Sequence, residues 1–398
     1  MKDFLAHLKL RFFWSSFALS IFFTFIVFYS SNPFKTNDKH ALFKFPKDDG
    51  MGECRLSEGE WVRKPYGESL LAYTNTSCPT MPDWKNCFKH EREDTDFLNW
   101  RWKPNECELP RFDPGKFLRI VRGKRMGFIG DSVSRNHVDS LICLLSKEEA
   151  PVNIHNDSDD RFPAWHFPNH DFTLLTLWSR YLVAADELVV NGSNSGMFSL
   201  NLDKVDDNWA RQLPTLDYAI ISDGHWFFRP VHIYQNNIKI GCVYCNEPNI
   251  TNLNMTSAMR MSFRAALRYI NDCKECKPLM TILRTFSPAH FENGTWNNGG
   301  NCKRTKPLLE FEVESREFNR ETSGMQNEEI ERARRECSSK KKKFKVMDIT
   351  MAMAMRADGH PGSHWGNKWM KGINDCLHWC LPGPIDVWND FLIAHLIS

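Results

Sequence analysis

From about Phe117 onward, short apolar runs alternate with amphipathic stretches, a pattern that predicts strands feeding helices around a mostly parallel sheet. The strand candidates are Met126–Ile129, Phe172–Leu177, Tyr218–Ile221, Met280–Leu283 and Val346–Ile349. Between them, Arg135–Ser146, Ser257–Asn271 and Asn327–Glu336 read as helices, the first with Val138, Leu141, Ile142 and Leu145 on one side. The basic run Lys340–Lys343 reads as a solvated loop before the last strand. Residues 116–398 therefore form an α/β body, without internal repeats. Upstream, residues 53–115 carry Trp61, Trp84, Trp100, Trp102, Cys54, Cys78, Cys87 and Cys107 with little periodicity, which predicts a loop-rich segment stapled by disulfides.

The N-terminus has a different texture. Phe12–Tyr29 is a stretch of 18 residues without a charge, just long enough to cross a hydrocarbon core of about 30 Å as a helix. Ser30-Ser31-Asn32-Pro33 follows it without an A-x-A-like cleavage site, so it reads as an uncleaved signal anchor rather than a signal peptide. Residues 1–11 form the tail before it, and residues 30–52, polar and mixed in charge, form a stem. Flanking lysines do not orient the span, because Lys2 and Lys9 precede it while Lys35, Lys39, Lys44 and Lys47 follow. The cysteines do: all 13 lie beyond the span, as expected if that side is oxidising. Sequons at Asn75, Asn156, Asn191, Asn249, Asn254 and Asn293 lie on the same side. Both observations put the body in the secretory lumen.

At 398 residues and 42% hydrophobic content the chain can bury a sizeable core, and a net charge of +2 argues against a general affinity for nucleic acid. The sharpest chemical signal is Phe128-Ile129-Gly130-Asp131-Ser132, where an apolar strand turns into a helix. A serine at such a junction has its own N–H and those of the helix start available to a reacting carbonyl oxygen; Asp-Ser is equally a common helix cap. A serine nucleophile needs a base and an acid to orient it. Asp375 and His378, three positions apart in Asn374-Asp375-Cys376-Leu377-His378-Trp379-Cys380, offer both, and Asp358 with His360 is a rival pair. Cys242-x-x-Cys245 and Cys273-x-x-Cys276 have zinc-like spacing, although an oxidising lumen favours disulfides over metal.

Several rare motifs occur in one order: Trp100-Arg101-Trp102-Lys103-Pro104, Leu109-Pro110-Arg111-Phe112, Gly130-Asp131-Ser132 with Arg135-Asn136, and Asp375-Cys376-Leu377-His378-Trp379-Cys380. From about Cys54 to its end the chain resembles the trichome-birefringence-like polysaccharide O-acetyltransferases of plants. Ser222-Asp223-Gly224-His225-Trp226-Phe227-Phe228-Arg229-Pro230, Gly241-Cys242-Val243-Tyr244-Cys245 and the segment from Arg284 to Trp296 look most like the xyloglucan O-acetyltransferase branch. The resemblance implies a GDSL/SGNH-hydrolase-like fold with Ser132 as nucleophile, His378 as base and Asp375 as its orienter. It also implies the disulfides Cys54–Cys107, Cys78–Cys143, Cys87–Cys380 and Cys302–Cys376, leaving the two paired-cysteine motifs to bridge among themselves and Cys337 as the odd thiol. Where many relatives carry an oxyanion asparagine this chain has Ser222, so the expected oxyanion donors are the Ser132 and Gly224 N–H groups, with Arg135 beside them.

Trp226, His290 and Trp296 follow strand candidates, at the rim where open α/β sheets bind ligands; the tryptophans could stack on sugars or fill the core. The implied chemistry is acetyl transfer to a side-chain sugar of xyloglucan, galactose first, in the Golgi lumen by a single-pass type II membrane protein. No bound cofactor or metal is required. An acetyl donor is required, either acetyl-CoA or an acetyl group relayed by a membrane protein. A carbohydrate esterase, a transferase acting on xylan, mannan or pectin, and a non-catalytic polysaccharide-binding protein are the rival readings.

Overall fold

The computed structural model describes residues 54–65, 71–155, 162–245, 247–366 and 372–397. The anchor expected over 12–29, the stem and Asn156 lie outside the described residues. Among those described, no helix is long and apolar enough to cross a membrane.

The strands in chain order are β1 Gly59–Arg63, β2 Trp100–Pro104, β3 Arg125–Gly130, β4 Val152–His155, β5 Ala164–Phe167, β6 Phe172–Trp178, β7 Val183–Val190, β8 Ser193–Val205, β9 Tyr218–Ser222, β10 Val231–Gln235, β11 Ile238–Val243, β12 Leu279–Arg284 and β13 Lys342–Met347. The helices are α1 Pro114–Ile120, α2 Ser132–Leu145, α3 Asp207–Ala210, α4 Met255–Asp272, α5 Arg316–Glu336, α6 Thr350–Ala354 and α7 Val387–Ile397. A seven-stranded sheet of order β13-β12-β9-β3-β6-β5-β4 forms the centre. Its first five strands are parallel, and β5 and β4 add on antiparallel.

Side chains of a strand point alternately to the two faces of its sheet, and here that alternation builds two separate cores. Phe128, Ile220 and Ile282 face a cluster with α2, α7, Phe117, Trp379 and Trp388. Their neighbours Ile129, Ile221 and Leu283 face a second cluster with α4, Phe344 and the inner residues of a smaller sheet. Runs apolar at every position are thus what a parallel strand covered on both faces requires.

Three expectations need correction. β13 begins inside the basic run and stops before Ile349. As an edge strand with β12 its single partner, it tolerates lysines whose stems lie along the protein while their heads find carbonyls. Lys342 Nζ donates to the Asn271 and Cys273 carbonyls at 2.6 and 2.7 Å, and Lys345 Nζ to that of His395 at 2.7 Å. α5 starts at Arg316, eleven residues before the expected start, because its first half is largely polar and shows little apolar periodicity. The four-stranded sheet β11-β10-β8-β7 was not anticipated at all. Its two hairpins carry a readable signal: Asn191-Gly192 and Asn236-Asn237 all take positive φ, as a two-residue turn of type I′ demands.

The segment before α1 holds the two-stranded sheet β1-β2 and short 3₁₀ turns. It is anchored by its indoles: Trp61 Nε1 donates to the Ala352 carbonyl and Trp102 Nε1 to that of Leu56, at 2.7 and 2.8 Å. Cys54–Cys107, Cys78–Cys143, Cys87–Cys380 and Cys302–Cys376 are bonded. Cys242–Cys245 and Cys273–Cys276 close on themselves, and Cys337 is a free thiol.

Candidate active site

Ser132 is the first residue of α2, directly after the central strand β3. The strand-to-helix turn depends on Gly130, whose φ is 148° and whose backbone runs so close to β9 that a Cβ there would lie 1.6 Å from the Ser222 carbonyl oxygen. Asp131 caps the helix: its Oδ1 accepts from the N–H groups of Val133 and Ser134 at 2.9 and 3.4 Å. Its other oxygen accepts from the His225 N–H at 3.3 Å, tying the turn to the segment after β9. Asp131 is therefore a helix cap, and the same turn sets Ser132 at the first position of α2.

His378 and Asp375 come from a loop 246 residues further along the chain from Ser132. His378 Nε2 lies 2.8 Å from Ser132 Oγ, and Nδ1 lies 2.9 Å from Asp375 Oδ2. The other Asp375 oxygen accepts from the N–H groups of Leu377 and His378 at 3.1 and 2.9 Å, so one carboxylate shapes the loop and orients the ring. Burial opposes its charge, but the His378 imidazole and these N–H groups outweigh it and hold the Asp375 pKa down to about 2. A carboxylate of this kind selects the tautomer with a proton on Nδ1 and leaves Nε2 free to accept one from Ser132.

The loop is clamped on every side. Cys302–Cys376 and Cys87–Cys380 flank His378. Asn136, one turn into α2, accepts from the Trp379 N–H at 2.7 Å and donates to its carbonyl at 3.4 Å. Leu381 N–H donates to the Lys85 carbonyl at 2.9 Å, and the Trp84 indole meets the His378 ring edge-on at 5.2 Å. Lys85, fully buried, ion-pairs with Asp139 of α2 at 2.5 Å. The roles of Asn136, Trp84 and Lys85 were missed, since nothing local in the sequence marks which buried polar side chain will meet a loop from the far end of the chain.

The rival pair is not at the nucleophile. Asp358 is fully buried against Arg356 at 2.8 Å, and His360 Nδ1 donates to the His378 carbonyl at 2.7 Å. His290, expected to bind substrate, instead has both ring nitrogens engaged inside the protein, on the Ala354 carbonyl and on His360. Its local signal was a polar ring after a strand, which does not tell which way the ring turns. Gly224, expected as an oxyanion donor, has its N–H on Asp223 Oδ1 at 2.7 Å. It has to be glycine for another reason: a Cβ there would come within 2.7 Å of the Phe286 ring. Arg135 sits one turn after Ser132 on α2, and its charge helps depress the pKa of Lys85, chiefly lowered by burial to about 8. The Ser222 hydroxyl is buried with no partner.

Trp226 is half-buried and packs on Phe198 and Tyr181, so core packing accounts for much of its surface. Its outer part is flanked by guanidinium groups, Arg180 at 4.9 Å and Arg229 at 4.4 Å from the ring centroid. Arg229 also approaches Trp296, which is 50% exposed, at 5.9 Å. In the sheet register Trp178 and Ser222 flank Gly130, so this aromatic and basic surface grows from the strand ends either side of the nucleophile turn. The sequon residues Asn75, Asn191, Asn249, Asn254 and Asn293 are all exposed.

A family model described as the GDSL/SGNH-like acyl-esterase family found in Pmr5 and Cas1p, PC-Esterase, matches residues 109–395. The chain belongs to the PC-Esterase family. A second model, the PMR5 N-terminal domain, matches residues 52–108, the segment that places Trp84 and Lys85 beside the base loop of this PC-Esterase. Over 384 residues it is 54% identical to xyloglucan O-acetyltransferase 4 of Populus trichocarpa, covering 95% of this chain and 89% of the relative. Xyloglucan O-acetyltransferase 2 of Arabidopsis thaliana is 50% identical over 386 residues, 96% of this PC-Esterase and 92% of the relative. Trichome birefringence-like 20 of Arabidopsis thaliana is 44% identical over 86% of this chain and 72% of its own length.

Proposed function

We propose that this PC-Esterase is a polysaccharide O-acetyltransferase that acetylates xyloglucan through a Ser132 acyl-enzyme. The observation that carries the reaction type is Ser132 Oγ within 2.8 Å of a histidine whose other nitrogen is held by a buried carboxylate. The acceptor class rests on relatives that are 50–54% identical over almost the whole chain and are named xyloglucan O-acetyltransferases.

In the first step His378 Nε2 takes the Ser132 proton as Oγ bonds to the acetyl carbon, and the donor's leaving group departs with the proton from His378. In the second, a sugar hydroxyl gives its proton to His378 and attacks the acetyl-serine, and Ser132 leaves and recovers that proton. The Ser132 N–H at the start of α2 is the oxyanion donor this reading retains, supported by the helix dipole. The donor is acetyl-CoA or an acetyl group handed over by a membrane protein, and the acceptor is a side-chain galactose. Trp296 and Arg229 offer the stacking and hydrogen-bonding surface for it. The uncharged stretch over 12–29, the cysteines beyond it and the exposed sequons support a type II, glycosylated Golgi protein working in the lumen.

The test is to incubate the purified full-length chain with an acetyl donor and galactosylated xyloglucan oligosaccharides and read product mass beside Ser132→Ala. A gain of about 42 Da, one acetyl group moved through the acyl-enzyme, appears with intact Ser132 alone. Removal of acetyl groups from acetylated oligosaccharides in place of that gain would make the protein an esterase.

A further inference from the structure

Behind the base loop lies a chain of hydrogen bonds with one proton too many for two neutral rings. His290 Nε2 is 2.8 Å from the Ala354 carbonyl oxygen, and His360 Nδ1 is 2.7 Å from that of His378. Carbonyl oxygens only accept, so each of these nitrogens carries hydrogen. The remaining nitrogens, His290 Nδ1 and His360 Nε2, face each other at 2.7 Å. With no hydrogen between them this contact would set two lone pairs against each other. One hydrogen there brings the total to three on four ring nitrogens, and hence one positive charge on the pair.

We infer that His290 and His360 share a proton as an imidazole–imidazolium pair, and that this pair positions the proposed base His378 through its backbone carbonyl. The inference rests on His378 being the base, but the shared proton can be tested independently. The surroundings bear on the charge from both sides. Burial opposes it and lowers the pKa of both rings, that of His360 well below its ordinary value, with the two rings and His378 also repelling one another when protonated. Arg304 opposes it from the side of His290. Asp358 and Glu292 favour it there, and Asp375 favours it at His360. The indole of Trp379 lies nearly parallel to the His360 ring, with centroids 4.1 Å apart and planes at 29°, a placement that stabilises a cationic ring. Arg92 reaches the same corner but donates to the His360 carbonyl at 2.8 Å, leaving the ring to its own contacts.

The shared proton is present at low pH and leaves as pH rises; the lone pairs of His290 Nδ1 and His360 Nε2 then face each other and repel, which displaces the His360 ring that donates to the His378 carbonyl, and kcat falls. Both residues are positioning residues, so the expected effect falls on kcat and leaves KM for the sugar within about twofold.

The experiment combines spectroscopy and kinetics on the full-length chain. With ¹⁵N-labelled histidine, the protein should show a low-field proton coupled to two ring nitrogens, lost as pH rises, retained in Ser132→Ala and absent from His290→Gln. A glutamine amide can donate to His360 Nε2 without a shared proton, so His290→Gln should keep kcat within about threefold at acid pH and remove the alkaline fall in kcat. His290→Leu cannot donate, and should lower kcat about tenfold throughout. The inference is overturned if wild-type protein lacks the two-nitrogen proton, if His290→Gln leaves the pH profile unchanged, or if it raises KM for the sugar instead. Activity surviving in Ser132→Ala would refute the acyl-enzyme while leaving the spectroscopic result untouched.

Discussion

The two halves of the site are built by opposite means. The nucleophile half is local: β3, Gly130, the Asp131 cap and the start of α2 are eight consecutive residues whose geometry follows from strand, turn and cap rules. The base half has little regular structure, and its loop is held by two disulfides, Asn136, the Lys85 carbonyl and His360, from four other places in the chain. A strand-to-helix turn can thus present a serine by itself, whereas a loop that aims a histidine needs a scaffold. The PMR5 N-terminal segment is part of that scaffold, because Trp84, Lys85 and Cys87 all act on the loop.

The largest expected effects test whether the halves work as one unit. Ser132→Ala should lower acetyl transfer about a thousandfold or more, and Asp375→Asn should come close to it, since either change disables the same proton path. Equal losses in the double variant, measured as kcat, would show the two halves acting together, and additive losses would separate them.

Next in size is the scaffold. The Cys302–Cys376 bridge closes a separation of 74 residues, for which chain entropy suggests about 4 kcal/mol of stabilisation. Replacing both cysteines with serine should lower Tm and also reduce kcat. A fall in Tm with kcat intact would mean that Asn136 and His360 hold the loop without the bridge.

Gly130→Ala strikes the local half. The backbone there is in a region that disfavours side chains, and the Ser222 carbonyl stands where the Cβ would go, so a loss of about 3 kcal/mol is expected. Thermal denaturation with and without the substitution measures it. A smaller loss would show that β9 can move away from β3.

The smallest effect concerns how the halves are joined. Asp386 accepts from Tyr73 Oη at 2.7 Å and from Ser140 Oγ of α2 at 2.6 Å, and Asp390 of α7 accepts from the Phe112 N–H at 2.7 Å. Burial raises their pKa, against the pull of these donors, to about 6 and about 7. In the folded protein they therefore hold protons that the unfolded chain has already released. The stability they contribute is present below the ordinary carboxylate range and is lost as pH rises through about 6 to 7. Tm should fall over that window, and Asp390→Asn should flatten the fall by about 2 kcal/mol after allowance for partial exposure.

Much of the fold was legible because burial on both faces writes itself into a strand as an unbroken apolar run. Four of the five strand candidates coincide with β3, β6, β9 and β12, the heart of the sheet. The edge strand β13 was displaced and the hairpin sheet was missed, because edges and outer sheets bury too little to leave that pattern.

What the sequence determined by itself is therefore the local half: Gly130 for a turn that excludes a side chain, Asp131 for a cap, and Ser132 at the first position of a helix. Asp375 and His378 were visible as a pair for the same reason, since three residues of loop suffice to bring a carboxylate to its own histidine. Only the tertiary structure decided that this histidine, and not His360, reaches Ser132, and that His290 turns inward. Those choices depend on which buried donors and acceptors meet across hundreds of residues. Burial makes each unmatched polar group expensive, so the pairing is settled by the whole packed molecule rather than by any short stretch of it.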